Sequence, residues 1–157
     1  MRKRKIHHGS PKDLPDDQVW LDLGRLAQVE LTSEDAAHPV ESALIPGSAG
    51  GWLASDPGEQ IIRLLFDEPL GLRRIHLVFS ETMRERTQEF VLSWSRDGGR
   101  SYREIVRQQY TFSPSDTTRE IEDYRVVLDG VNALELRIIP DISKGPACAS
   151  LEQLRLA

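Results

Sequence analysis

The feature that most narrows what this chain can become is the period of its hydrophobicity. Val29 and Leu31 alternate with Gln28, Glu30 and Thr32; Phe90, Leu92 and Trp94 with Val91, Ser93 and Ser95; and Leu134, Leu136 and Ile138 with Glu135 and Arg137. A two-residue period puts one face in a core and the other in water, as a half-buried antiparallel strand requires. Denser apolar runs, Ile61-Ile62 with Leu64-Leu65-Phe66 and Ile75 to Phe79, suit central strands. Helical spacing leaves room for a turn or two around Ala36 to Leu44, and Pro39 interrupts even that.

Strands are therefore expected at about 27–33, 60–66, 73–80, 89–95, 101–107, 120–128, 133–140 and 149–156. Turn chemistry separates them at Glu68-Pro69-Leu70-Gly71, Asp97-Gly98-Gly99 and Asp129-Gly130. This punctuation predicts an all-β fold, an eight-stranded antiparallel jelly-roll β-sandwich. If consecutive strands run antiparallel, their connections alternate between the two ends of the sandwich. The short ones, 67–72, 96–100 and 129–132, then share one end, and the long ones, 34–59, 81–88, 108–119 and 141–148, share the other. Binding residues often sit on long loops above a rigid scaffold, so the long-loop end is expected to carry the site.

The 157 residues, 39% hydrophobic and 29% charged, suit a single folded domain over 19–157 with a flexible polar tail over 1–18, which carries Pro11 and Pro15. No apolar run approaches the roughly 18 residues that cross a bilayer, so no membrane span is expected. The basic opening Met1-Arg2-Lys3-Arg4-Lys5 leads into Ile6, His7, His8, Gly9 and Ser10 without an apolar stretch. A cytoplasmic address is the resulting default, with an extracellular one left open. Cys148 is the sole cysteine, which rules out an intramolecular disulfide and a cysteine zinc site. A net charge of −5 argues against nucleic-acid binding, where neutralised phosphates supply most of the affinity.

Several stretches together resemble discoidin-like domains, also called coagulation-factor type C or galactose-binding-like domains. They are Thr32-Ser33-Glu34-Asp35, His38-Pro39-Val40-Glu41-Ser42-Ala43-Leu44, Gly50-Gly51-Trp52 and Gln60-Ile61-Ile62-Arg63-Leu64 near the start. Phe90-Val91-Leu92-Ser93-Trp94-Ser95-Arg96-Asp97-Gly98 with Tyr102 resembles the family's strand–turn–strand segment. Leu134-Glu135-Leu136-Arg137-Ile138 and Ala149-Ser150-Leu151-Glu152-Gln153-Leu154 resemble its last two strands, so the likeness spans about 27–157. It implies a jelly-roll sandwich that binds glycans, lipid head groups or proteins through loops at one end. Relatives that bind carbohydrate often hold a structural calcium. The corresponding positions here are Pro46, before Gly47, and Gln153, so no cofactor is expected unless Glu152 or Asp56 substitutes. Ser33-Glu34-Asp35 to Leu44, Trp52-Leu53-Ala54, Gly58-Glu59-Gln60-Ile61 and Phe112-Ser113-Pro114-Ser115 also resemble the N-terminal domain of an animal scaffold for DNA single-strand-break repair. That likeness implies a protein partner inside the cell.

A non-catalytic carbohydrate-binding module is the leading expectation, with the protein-interaction module as the alternative; the oligomeric state is left open. Trp94 keeps step with Phe90 and Leu92 and belongs to the core, while His76 faces away from Ile75 and Leu77 and is set aside. The candidate ligand-binding residues are His38, Trp52, Arg84, Arg86, Tyr110, Phe112 and Asp141. Aromatic faces stack on the C–H faces of sugars, and Trp52, Tyr110 and Phe112 fall in expected loops. Guanidinium, imidazole and carboxylate groups hydrogen-bond hydroxyls. No enzyme is expected: no histidine has a serine or cysteine nucleophile at recognisable spacing, and Gly47 to Gly51 has neither the lysine nor the helix of a phosphate loop.

Overall fold

The computed structural model describes residues 19–157; the expected tail, with its basic start, lies outside the described residues. Two single-turn helices, α1 (Leu23–Leu26) and α2 (Glu41–Leu44), flank strand β1 (Ala27–Leu31). The remaining strands follow in order: β2 (Trp52–Pro57), β3 (Gln60–Ser80), β4 (Arg86–Ser95), β5 (Arg103–Phe112), β6 (Arg119–Ile139), β7 (Cys148–Leu151) and β8 (Gln153–Leu156). Helix α2 begins at Glu41 with Val40 as its N-cap, so Pro39 lies just outside the helix and interrupts none of its hydrogen bonds.

The first layer has the order β1-β3-β6-β4-β5, all antiparallel. In the second, β8 pairs the far half of β3 (Ile75 with Leu156), and the near half of β6 lies on that half's other side (Ile75 with Tyr124). Strands β3 and β6 therefore belong to both layers. Between Leu65 and Arg74 their register shifts three times, and past that corner β3 exchanges β1 for β8. Bulges bend a ladder without ending it, which is how antiparallel strands turn from one sheet into another. The expected turns at 67–72 and 129–132 are thus corners inside continuous strands. Pro69 sits in the irregular stretch where no ladder N–H is required.

Between the layers, Ile62, Leu64, Phe90, Leu92, Leu134, Leu136 and Ile138 face Ile75, Leu77, Phe79, Leu154 and Leu156, all essentially buried. The rings of Phe79 and Phe90 meet across the gap at 5.2 Å. Trp94 is buried with this set, as its alternation predicted. His76 points out of the inter-layer core yet is also buried, beside the Trp20 ring.

Two boundaries depart from the sequence reading. Residues 108–112 continue β5, so the expected 108–119 loop shrinks to 113–118. The expected 149–156 strand breaks at Glu152 into β7, which pairs β2, and β8, which pairs β3. The β2 strand itself was not anticipated, because Trp52–Pro57 lies in a glycine- and proline-bounded stretch with only two apolar positions in alternation, Trp52 and Ala54.

The short connections meet at one end: the Gly98 N–H donates to the Asn132 side chain at 3.2 Å, and Arg73 pairs with Asp129 at 2.9 Å. The long ones meet at the other. There Glu81 N–H donates to Thr118 O at 2.8 Å, Ile142 N–H to Thr87 O at 2.9 Å, and Gly58 N–H to Ala147 O at 3.3 Å.

Candidate functional site

At the long-loop pole lies an open depression of about 240 Å³, lined among others by His38, Trp52, Ser80, Glu81, Thr82 and Ser150. Its first wall is the tight turn Asp35 to His38. Asp35 N–H donates to Leu53 O at 2.8 Å, and Leu53 N–H donates back to His38 O at 3.2 Å, so the turn is laced to β2. The His38 Nδ1 lies 2.8 Å from the Asp35 carboxylate. A carboxylate only accepts, so Nδ1 carries a proton here, which leaves Nε2 as the ring nitrogen available to a ligand hydroxyl.

Trp52 supports the floor from beneath. It is 1% exposed, and its indole N–H donates to Ser33 O at 3.1 Å. Gly51, which leads into it, has φ +64°, and a Cβ there would come within 2.6 Å of Leu151 O. Only glycine allows β2 this close to β7.

The opposite wall depends on Arg86. This guanidinium is buried, donates to Glu81 at 2.7 Å and to Pro140 O at 2.7 Å, and lies 4.8 Å over the Phe112 ring. One side chain thereby ties the 81–85 loop, the 140–147 loop and the end of β5 together. Burial pushes the Glu81 carboxyl up, but the Arg86 hydrogen bond and the Met83 N–H outweigh it and hold the carboxyl below its ordinary value. Deeper between the layers, Gln88 donates to Glu120 at 3.1 Å. Burial and the neighbouring Glu122 push the Glu120 carboxyl up to about 9, so it is protonated at neutral pH.

The expected site residues thus divide. His38 and Trp52 line the depression, and Arg84 is exposed on the adjoining 81–85 loop. Phe112 is completely buried and offers no ring face, and Arg86 spends its donors on protein partners. Tyr110 lies on β5 rather than in a loop; its hydroxyl donates to Arg119 O at 3.1 Å and its ring meets Phe112 at 5.1 Å. Asp141 accepts the Ser143 N–H at 2.9 Å and organises its own turn. The expected aromatic platform is therefore absent: Trp52 and Phe112 are buried, and Tyr110 bridges β5 to β6. Exposed apolar surface comes instead from Met83, 89% exposed, and Ile142, 44% exposed, on two of the converging loops. Their only sequence signal was an apolar residue stranded in a polar loop, which periodicity cannot rank.

The residues at the corresponding calcium positions do not suit that ion. Pro46 has no side-chain oxygen, and Glu152 already accepts from Ser80 at 2.8 Å and pairs with Arg119 at 3.4 Å. Among the described residues no group of three or more histidine, cysteine, aspartate or glutamate side chains is placed to hold a metal. No described helix is long and apolar enough to cross a membrane.

No protein-family model matches the chain, and no curated protein matches it. Solved structures do. Over 87% of its length the chain is similar to 96% of the family 32 carbohydrate-binding module of NanJ from Clostridium perfringens, solved with galactose, at a TM-score of 0.65 and 14% identity. A second family 32 module from Clostridium perfringens, solved with GalNAc-β-1,3-galactose, is matched over 88% of this chain and 99% of that one, at 0.66 and 15% identity. A chitosan-binding module from a Paenibacillus chitosanase/glucanase is matched over 86% and 97%, at 0.58 and 14% identity. The likeness shows the fold, a discoidin-like, galactose-binding-like β-sandwich.

Proposed function

We propose that this protein is a non-catalytic carbohydrate-binding module that takes a single sugar unit or a chain end at its long-loop pole. The observation that carries the reading is the depression between His38 and Glu81, where a fixed imidazole, an ionised carboxylate and the hydroxyls of Ser80, Thr82 and Ser150 converge on a space of about 240 Å³. Sugar hydroxyls need paired donors and acceptors in fixed positions, and this set supplies both. The solved structures of the same fold include modules bound to galactose and to a GalNAc-containing disaccharide, which supports a small neutral saccharide as ligand. With no exposed ring at the pole, selectivity rests on hydrogen bonding, and Met83 and Ile142 supply the apolar contact.

Titration of the protein against a panel of mono- and disaccharides tests this. His38→Ala is expected to weaken the best binder by about tenfold, the scale of one or two lost hydrogen bonds. Binding unchanged in His38→Ala, or no saccharide bound at all, would overturn it. The exposure of Met83 and Ile142 favours one second reading, a protein partner docked on the same pole. On that reading Met83→Ser abolishes capture of the partner, and neither the parent nor the variant binds a saccharide.

A further inference from the structure

A concavity larger than the loop-pole depression lies away from that pole, on the outer face of the first layer. It holds about 540 Å³ and runs across β3, β6, β4 and β5. The register arranges its lining in rows. Arg63, Glu135 and Ser93 lie abreast on neighbouring strands; one pleat along come Arg137, Val91 and Arg107, and one further Ile139, Glu89 and Gln109. A row of arginine and apolar residues thus runs between one row that holds Glu135 and another that holds Glu89.

The hydrogen-bond accounting on this face is unequal. Arg63 donates to Glu135 at 2.7 Å, Arg107 to Glu104 at 2.9 Å and to Glu89 at 3.4 Å, and Arg137 to Glu59 at 3.4 Å, with Glu135 at 3.6 Å. All three guanidiniums are therefore occupied. Four carboxylates face them, and each offers about four acceptor positions. Oxygens of Glu59 and Glu104 remain free for a ligand, alongside the Ser93 and Tyr102 hydroxyls. The groove is left with surplus acceptors, one net negative charge, and an apolar floor at Val91 and Ile139.

We infer that this groove is a second binding site, for an extended glycan chain bearing free amino groups. Ammonium groups bring three donors and no acceptor, matching the surplus carboxylate oxygens in both charge and hydrogen-bonding sense. Val91 and Ile139 pack against the C–H faces of successive sugar rings. A peptide fits less well. The backbone groups of β3, β6 and β4 across the groove are consumed by neighbours on both sides, so an added strand finds an open ladder only at the outer edge of β5, at the groove's rim. An anionic chain meets like charge. This inference rests on the glycan-binding reading above but uses a different surface, a different ligand shape and different residues.

Calorimetry on the whole protein separates the two. Glucosamine oligomers are expected to bind, with an affinity that falls steeply with salt, while N-acetylglucosamine oligomers and polygalacturonate bind about tenfold more weakly or not at all. Glu104→Lys at the exposed rim and Ser93→Arg on the floor each weaken the glucosamine oligomer by about tenfold, the scale of one lost charge-assisted contact. Both substituted side chains point to solvent, and an unchanged denaturant midpoint confirms an intact fold. Both variants bind monosaccharide at the loop pole as before, whereas His38→Ala shows the reverse pattern. Glucosamine oligomers that bind no better than their acetylated forms, or equally well to Glu104→Lys, would overturn the groove assignment and leave the loop-pole reading standing. A lysine-rich peptide that binds as tightly as the oligomer would overturn the glycan as occupant.

Discussion

Arg86 shows how a residue chosen for one purpose serves another. In sequence it is a cation in a charged loop; in the fold its donors are committed to Glu81 and Pro140 and its plane to Phe112. Arg86→Ala leaves Glu81 half-buried without its counter-charge, and such broken pairs cost about 3 kcal/mol. Chemical denaturation should show that loss, and limited proteolysis should show earlier cleavage in the 81–85 and 140–147 loops. Gly51→Ala tests the other wall. Backbone strain at φ +64° and the clash with Leu151 O are expected to cost about 1–3 kcal/mol, read as a lower denaturant midpoint. His38 was readable as a candidate because it precedes Pro39 in the expected 34–59 loop and an imidazole can hydrogen-bond a sugar hydroxyl. Phe112 and Tyr110 were misplaced because the polar residues Gln108 and Gln109 disguised the last pleats of β5. Single residues also hid the outer groove, since a glutamate–arginine checkerboard exists only once the register sets four strands side by side.

At the scale of elements, the alternating pattern was enough to find most strands, and it placed the start of β1, the end of β4 and the end of β6 to within a residue while missing the first three residues of β4. It did not distinguish a corner from a turn, because Pro69-Leu70-Gly71 and Asp129-Gly130 carry the same residues that end strands elsewhere. The near half of β6 carries a further consequence. It sends Glu120, Glu122 and Tyr124 toward the gap between layers, where Tyr110 from β5 and Gln88 and Arg86 from β4 face them. Glu120 has its folded pKa raised to about 9, far above its value in an unfolded chain. Its contribution is therefore fully present below the unfolded pKa and is lost as pH rises through the folded one. Glu120→Gln removes that titration. The variant is expected to exceed the parent's unfolding free energy by about 1–3 kcal/mol near pH 8 and to match it near pH 4. Urea titrations of both proteins at the two pH values measure the difference; equal gaps would show that Glu120 does not titrate between them.

For the whole molecule, the order of connections predicted which loops would converge, and the contacts at the two ends follow that order. Loop convergence was legible because it depends only on antiparallel alternation and chain length between strands. The surface chemistry was not, because it depends on register. Strands β3 and β6 pass through both layers, so neither layer can open while the other stays intact. Unfolding is expected as one transition, with tryptophan fluorescence and far-ultraviolet circular dichroism tracing the same curve. Two separated midpoints would mean that the corner at 65–74 acts as a joint. If it does not, the corner has a mechanical meaning as well. Tension entering one layer reaches the other along unbroken peptide backbone, so a load is carried across the molecule by covalent bonds, without relying on interlocked side chains to resist shear.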